Sequence, residues 1–339
     1  MRFSSYTRRM LPAPQRVLLI QLRRIGDTVL LTPVLDALRE AWPETRLHLL
    51  TEYPASQLFE GDDRVDVLWV RAPGTSLVKL VQPLRRERFD LVLDFQSLPS
   101  TSMLARATTS QSIGFKDRFR FHHRNVDLQT HKGTHYTADH KLDLLRALGL
   151  QPRSIIPRLH APTAPHEIWN ELKSDHKILL SPVSPWAHKR WSAQAFAEIA
   201  RGIHQATEAA FVIAGGPGED AVVNEVGAEL QNIPHRTLLL DRLHDLARLS
   251  IGADLFVGND NGPRHIALAL GIPTLGYFSE VNPIFWTPPD PRHPVLWDLA
   301  HAHGRSLPSG RTILPPQPEP AVEAAIRLLE HPETLRGEA

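Results

Sequence analysis

Eight consecutive residues, Gly258-Asn-Asp-Asn-Gly-Pro-Arg-His265, combine small polar side chains with two glycines, a proline and a histidine, directly after an apolar run. The pattern reads as a strand opening into a helix. Pro263 is expected at the first helical position, where its missing N–H costs nothing. Free N–H groups at a helix start attract anions, and glycine lets a phosphate approach the backbone closely. His265 could donate to a phosphate or sugar oxygen. The plainer alternative is a cap at Asp260 or Asn261 with His265 a satisfied surface residue, but the density of small polar groups favours a binding loop.

Three further loops follow apolar runs. In Arg23-Arg24-Ile25-Gly26-Asp27, Gly26 permits a tight turn. Asp27 is either an N-cap carboxylate, which its position alone favours, or a general base. In Ser184-Pro-Trp-Ala-His-Lys189-Arg190-Trp191-Ser192, Lys189 and Arg190 could neutralise a leaving diphosphate, and Ser192 is expected to cap the next helix. A solvated basic pair beside a core tryptophan is the equal alternative. In Gly215-Gly-Pro-Gly-Glu219-Asp220, Glu219 could accept ribose hydroxyls over a flat glycine surface.

Several chemistries are excluded. There is no cysteine, hence no disulfide, thiolate zinc site or cysteine nucleophile. Neither G-x-G-x-x-G spacing at a first strand nor a G-x-x-x-x-G-K-[ST] loop is present, and the 18 histidines form no H-E-x-x-H. His122-His123 and His301-Ala-His303 lack carboxylates at ligand spacing. No G-x-S-x-G elbow occurs. A net charge of +1 and 7% aromatic residues give no support for nucleic-acid binding. The charge is uneven, however. Residues 1–150 hold 22 Lys+Arg against 16 Asp+Glu, and the remainder 16 against 21, which points to an anionic partner for the first half.

The elements that must position these loops alternate. Short apolar runs at Val17–Leu22, Arg46–Thr51, Val65–Val70 and Asp90–Phe95 read as strands. Helices are expected over Thr28–Trp42, Leu77–Arg88 and Tyr136–Leu148, with Gly149 just past the last. Gly114 to His135 reads as irregular and basic. Four prolines in 150–165 mark a linker, after which the alternation restarts with strands at Lys177–Ser181, Ala210–Ala214, Thr237–Leu240, Asp254–Gly258 and Thr274–Phe278. Helices are expected near 192–206, 219–231, 243–252 and 263–270, with a last one from Ala321. At 339 residues, two domains are expected. The assignment is α/β, with a 1–15 extension, a 16–155 domain, a 156–175 linker, a 176–320 domain and a 321–335 helix, both domains doubly wound and Rossmann-like. No run approaches the ~20 apolar residues of a membrane span, and residues 1–15 lack the apolar core of a secretory signal.

The run Ile20-x-Leu-Arg-Arg-Ile-Gly-Asp27-Thr-Val-x-x-Thr32-Pro33 resembles the N-terminal signature of glycosyltransferase family 9, the bacterial heptosyltransferases. Phe89-Asp-Leu-Val-Leu-Asp-Phe-Gln96, Lys189-Arg-Trp191 and Gly258-x-Asp260-x-Gly262-Pro-x-His265-x-Ala-x-Ala-x-Gly271-x-Pro273 are similar to its later motifs, in order, over residues 16–330. The resemblance implies a GT-B fold whose two domains face a cleft, and inverting transfer of heptose from ADP-heptose to a lipid A–Kdo or inner-core acceptor. It implies Asp27 as base, and Lys189, Glu219, Asp260, Gly262 and His265 as donor-binding residues; Ser184, Arg190 and Asn261, on the same loops, are expected to join them at the donor. No cofactor is implied, with Mg2+ at most a non-essential activator. The basic surplus, including Arg23, Arg24, Lys116, Arg118, Arg120, Arg124 and Lys132, is expected to meet an anionic lipid-linked glycan acceptor. The expected location is cytoplasmic, peripheral at the inner face of the inner membrane. Asn261 departs from the Ser or Thr of the family triplet, which keeps open another nucleotide sugar or another glycan acceptor on the same fold. A GT-B nucleotide-sugar epimerase is the alternative of a different enzyme class. A two-domain binding protein is the non-enzymatic alternative.

Overall fold

The computed structural model describes residues 13–127, 136–298 and 311–330. They divide into two compact units, 13–127 with Thr137–Pro157, and Tyr136 with 158–298 and 311–330.

The first unit holds a parallel sheet of β1 (Arg16–Ile20), β2 (Arg46–Glu52), β3 (Val67–Arg71), β4 (Leu91–Asp94), β5 (Ser112–Phe115) and β6 (Arg124–Val126), in the order β3-β2-β1-β4-β5-β6. The order reverses between β1 and β4, which pair Ile20 with Asp94. Val17–Ile20 are fully buried, packed by Val34, Leu35 and Leu38 on one face and Leu84, Leu104 and Ala105 on the other. That double burial is why β1 is a continuous apolar run.

The helix expected over Thr28–Trp42 is two helices, α1 (Ile25–Val29) and α2 (Thr32–Ala41). Pro33 causes the break, because it has no N–H for the Val29 carbonyl four residues back. Thr32 Oγ1 donates to that carbonyl instead, at 2.8 Å. α3 (Val78–Arg86) falls where expected, whereas α4 (Pro99–Thr108) was not anticipated. The segment expected to be irregular supplies the end of β5 and all of β6, and its 128–135 portion, with Lys132, lies outside the described residues. α5 (Thr137–Ala147) closes the unit, and Gly149 follows it with φ +92°.

The second unit repeats the plan. β7 (Lys177–Ser181), β8 (Ala210–Gly215), β9 (His235–Leu239), β10 (Leu255–Asn259), β11 (Thr274–Phe278), β12 (Val295–Trp297) and β13 (Ile313–Leu314) form a parallel sheet ordered β13-β12-β11-β10-β7-β8-β9. The short strands β12 and β13 were not anticipated. The reversal lies between β7 and β10, where Ser181 pairs with Gly258. Connecting helices are α6 (Ala193–Thr207), α7 (Asp220–Glu229), α8 (Leu243–Ile251) and α9 (Gly262–Ala269). α10 (Pro318–Glu330) packs on α6, with Val322 against Gly202, where a Cβ would stand 2.6 Å from a Val322 methyl. Trp169 is buried in this unit and donates from Nε1 to the Leu249 carbonyl.

Candidate functional site

Ligands of open parallel sheets sit beyond the carboxyl ends of the strands, at the point where strand order reverses. Each unit carries its motif residues there.

In the first unit, β1 runs into Gln21–Arg24 and β4 into Phe95–Pro99. The Gln96 side chain bridges the two strand ends. Its Oε1 accepts from the backbone N–H of Arg23 at 2.8 Å and from Gln21 Nε2 at 3.0 Å. Arg24, not Asp27, occupies the N-cap of α1, and no side chain caps that helix. The capping alternative for Asp27 is therefore excluded. Asp27 lies within the first turn, half-buried, and Arg23 and Arg24 are exposed beside it.

A second layer of charge lies behind this turn. Lys141, from α5, is 4% exposed and donates from Nζ to Gln21 Oε1 at 2.6 Å. Burial lowers its affinity for a proton, while the carboxylates of Asp27 and Asp94 act in the opposite sense. Asp94, fully buried at the end of β4, accepts from His122 Nε2 at 2.9 Å and from the Ser97 N–H at 2.9 Å. His122 also faces Asn125 Oδ1 at 3.0 Å and lies on Gly114, where a Cβ would be 2.1 Å from its ring. The His122–Asp94 pair thus ties the connection between β5 and β6 to the switch point. On that connection Arg118 is exposed, as is Arg124 at the start of β6, whereas Arg120 is folded back, paired with Asp117 at 2.9 Å and donating to the Arg118 carbonyl.

In the second unit, Asn261 caps α9 by accepting from the Arg264 N–H at 2.9 Å. Gly262 is accordingly the first helical residue and Pro263 the second, one place later than the sequence suggested. Asn261 Nδ2 donates to Ser181 Oγ at 3.1 Å and to the Val183 carbonyl at 2.9 Å. The amide hydrogens that distinguish Asn from Ser or Thr are thus used inside the protein, lacing the end of β10 to the end of β7. Asn259 adds a second lace, accepting from the Trp191 N–H at 3.0 Å and donating to the Pro182 carbonyl.

The loop after β7 is braced from within. Arg190 Nε donates to the Ser184 carbonyl at 2.8 Å, and Ser184 is buried. Lys189 ends a short 3-10 turn and is half-buried, and Ser192 caps α6 as expected, accepting from the Ala195 N–H. Trp191 stacks on Tyr277 at 5.0 Å, a packing role. Beyond β8, Glu219 Oε2 accepts from the Gly216 N–H at 2.7 Å.

His265 is 4% exposed, with Nε2 4.0 Å from Asp260 Oδ1, and Nδ1 has no hydrogen-bond partner among the described residues. Burial, helped by the neighbouring Arg264 cation, lowers its pKa to about 3, so the ring is neutral at pH 7. Arg264 is itself fully buried, held by Thr287 Oγ1 at 3.0 Å and lying 5.1 Å above the Phe278 ring. Burial lowers its pKa to about 10, which leaves it charged at neutral pH. Among the described residues no group of three His, Cys, Asp or Glu side chains is arranged to hold a metal ion.

The profile of glycosyltransferase family 9 (heptosyltransferase) matches residues 77–331. The chain belongs to this family. It is a glycosyltransferase, and its fold is of the GT-B type. Lipopolysaccharide heptosyltransferase 3 of Escherichia coli strain K12 is 23% identical over 293 residues, which is 79% of this chain and 83% of that protein. The glycosyltransferase family 9 structure from Veillonella parvula DSM 2008 matches with a TM-score of 0.77 at 22% identity, covering 94% of this chain and 97% of that one. The structure of E. coli ADP-heptose lps heptosyltransferase II matches with a TM-score of 0.75 at 17% identity, covering 94% and 99%.

In this family 9 transferase, Lys141, Asp94, His122 and Gln96 are not legible from the sequence as individual contributors. Asp94 and Gln96 stood inside a quoted motif, but nothing in the motif assigns them a task. Lys141 looks like one more exposed position on an amphipathic helix. Only the sheet order brings α5 against the end of β1.

Proposed function

We propose that the chain is an inverting heptosyltransferase of lipopolysaccharide synthesis, with ADP-heptose as donor and an anionic lipid-linked core glycan as acceptor. The observation that carries this reading is the matched use of two switch points, one holding a carboxylate and the other a helix start laced to the loop that carries Lys189. The names of the relatives support it: the E. coli proteins are lipopolysaccharide heptosyltransferases, one named with ADP-heptose.

In this reading Asp27 takes the proton of the acceptor hydroxyl as its oxygen attacks the anomeric carbon. The bond from that carbon to the diphosphate oxygen breaks, and ADP leaves with the electron pair. Lys189 and the N-terminal amides of α9 meet the growing negative charge. Neutral His265 donates one hydrogen bond to the donor, and the second carboxylate oxygen of Glu219 takes a ribose hydroxyl. Arg23, Arg24, Arg118 and Arg124 meet the phosphates and carboxylates of the acceptor. Asn261 lends no weight to a different donor, since its amide is engaged with the end of β7.

Calorimetric titration with ADP, UDP and GDP tests the donor, with ADP expected to bind most tightly and Lys189→Ala to weaken it. Asp27→Asn is expected to keep ADP affinity and lower kcat at least about 100-fold, within the range of lost general-base catalysis. Preference for UDP or GDP, or full turnover in Asp27→Asn, would overturn the reading.

A further inference from the structure

The first unit exposes three large apolar side chains in one neighbourhood. Phe119 is 64% exposed, Phe121 44% and Met103 59%. Phe119 and Phe121 lie between β5 and β6, and Met103 lies on α4. They are joined by Arg106, one turn after Met103, whose Nη1 reaches the Phe121 carbonyl at 3.5 Å. Phe119 adopts φ +63°, a left-handed conformation that is unfavourable for a bulky residue by ~1–2 kcal/mol. The ring gains no burial in return for this strain. Its contact is instead the Arg118 guanidinium, 5.1 Å above the ring.

The surroundings are cationic. Between Gly114 and Asp127 stand Lys116, Arg118, Arg120 and Arg124 against Asp117 and Asp127, and Arg106 is exposed beside them. The loop is held to the sheet by the buried His122–Asp94 pair. Apolar tips alternating with basic residues suit one surroundings above others. At a bilayer interface, aromatic rings sit at headgroup level while arginines meet lipid phosphates. Charge complementarity favours the bilayer: the exposed Arg106, Arg118 and Arg124 match a sheet of lipid phosphates, and the rings beside them match the headgroup level.

We propose that Phe119, Phe121 and Met103, ringed by Arg106, Arg118 and Arg124, form a docking surface for an anionic phospholipid bilayer. The surface shares Arg118 and Arg124 with the proposed acceptor contacts, and vesicles without glycolipid separate the two, because bilayer docking requires neither substrate.

Co-sedimentation of the full chain with vesicles of phosphatidylethanolamine and phosphatidylglycerol, free of any glycolipid, tests this. Binding is expected to these vesicles and not to pure phosphatidylcholine, and to weaken as salt is raised. Phe119→Ser with Phe121→Ser is expected to lower the partition coefficient at least ~10-fold, as loss of two interfacial rings requires. Arg118→Glu is expected to lower it ~10-fold or more, since it removes one cation and adds one anion. Leu239→Ser, which changes an exposed apolar residue of the second unit, is expected to leave binding unchanged. Thermal melts confirm that each variant is folded. Binding only when a glycolipid acceptor is added, equal binding to phosphatidylcholine, or an equal loss in Leu239→Ser would overturn the proposal.

Discussion

Lys141 Nζ donates to Gln21 Oε1 at 2.6 Å, so a fully enclosed ammonium group stands immediately behind the turn that carries Asp27. Its neighbours are Asp27 on α1, Asp94 on β4 with its partner His122, and neutral Gln21 after β1. Asp139 and Asp143 on its own helix are both paired with Arg146. Lys141→Met removes the hydrogen bond that holds Gln21 behind this turn. The variant is expected to lower kcat about 10-fold with ADP affinity unchanged, the loss that follows when a catalytic group is slightly misplaced. A kcat equal to that of the parent protein would show that Lys141 only fills space.

Asn261 is a cap and a lace. Asn261→Thr keeps a capping oxygen but loses the two hydrogen bonds to Ser181 and Val183. The expected cost is about 1–2 kcal/mol in denaturant unfolding, with ADP affinity unchanged. A large loss of ADP affinity would show that the amide also faces the donor.

Acid should loosen the second unit. Burial, with Arg264 adding to it, holds the pKa of His265 at about 3, and burial also brings that of His293 to about 3. Both lie below the ordinary histidine value of 6.5. A depressed folded pKa means that the unfolded chain binds the proton more readily. The stability is therefore complete above pH 6.5 and is lost as pH falls toward 3. Each histidine contributes a slope of at most about 1.4 kcal/mol per pH unit. Unfolding followed by Trp297 and Trp169 fluorescence between pH 7 and 5 checks this, and His293→Gln should flatten the slope.

Gly114 has no side chain because the His122 ring occupies its place. In Gly114→Ala the new methyl would meet Cε1 at 2.1 Å, and Asp94 and Asn125 hold the ring against retreat. A loss of about 1–3 kcal/mol is expected, as for other overpacked sites. In the double variant with His122→Ala the alanine should add no further cost, a coupling that a double-mutant cycle reads directly.

Sheet membership was legible wherever a strand is buried on both faces. Lys177–Ser181 and Thr274–Phe278 are read to the residue, because apolar runs between turn signals have few other uses. β6 (Arg124–Val126) was missed: an edge strand of three residues, two of them exposed, carries no alternation to read. α4 (Pro99–Thr108) is rich in Ser and Thr, which mimic a loop composition although proline opens the helix. The motif loops were found from residue type and spacing. What could not be read was the layer behind them, since Lys141 and Gln21 lie 120 positions apart and meet only through the order of the strands.

The two sheets share one winding scheme, with the reversal between their first and fourth strands. In this scheme each half offers a ligand the same kind of berth, built from two strand ends and the turns that follow them. A substitution in the turns of one berth leaves the strands, helices and packing of the other half untouched. Recognition of each ligand can therefore drift separately, through loop exchange alone. Under the proposed function, one scaffold can acquire a new acceptor while keeping its donor, or the reverse.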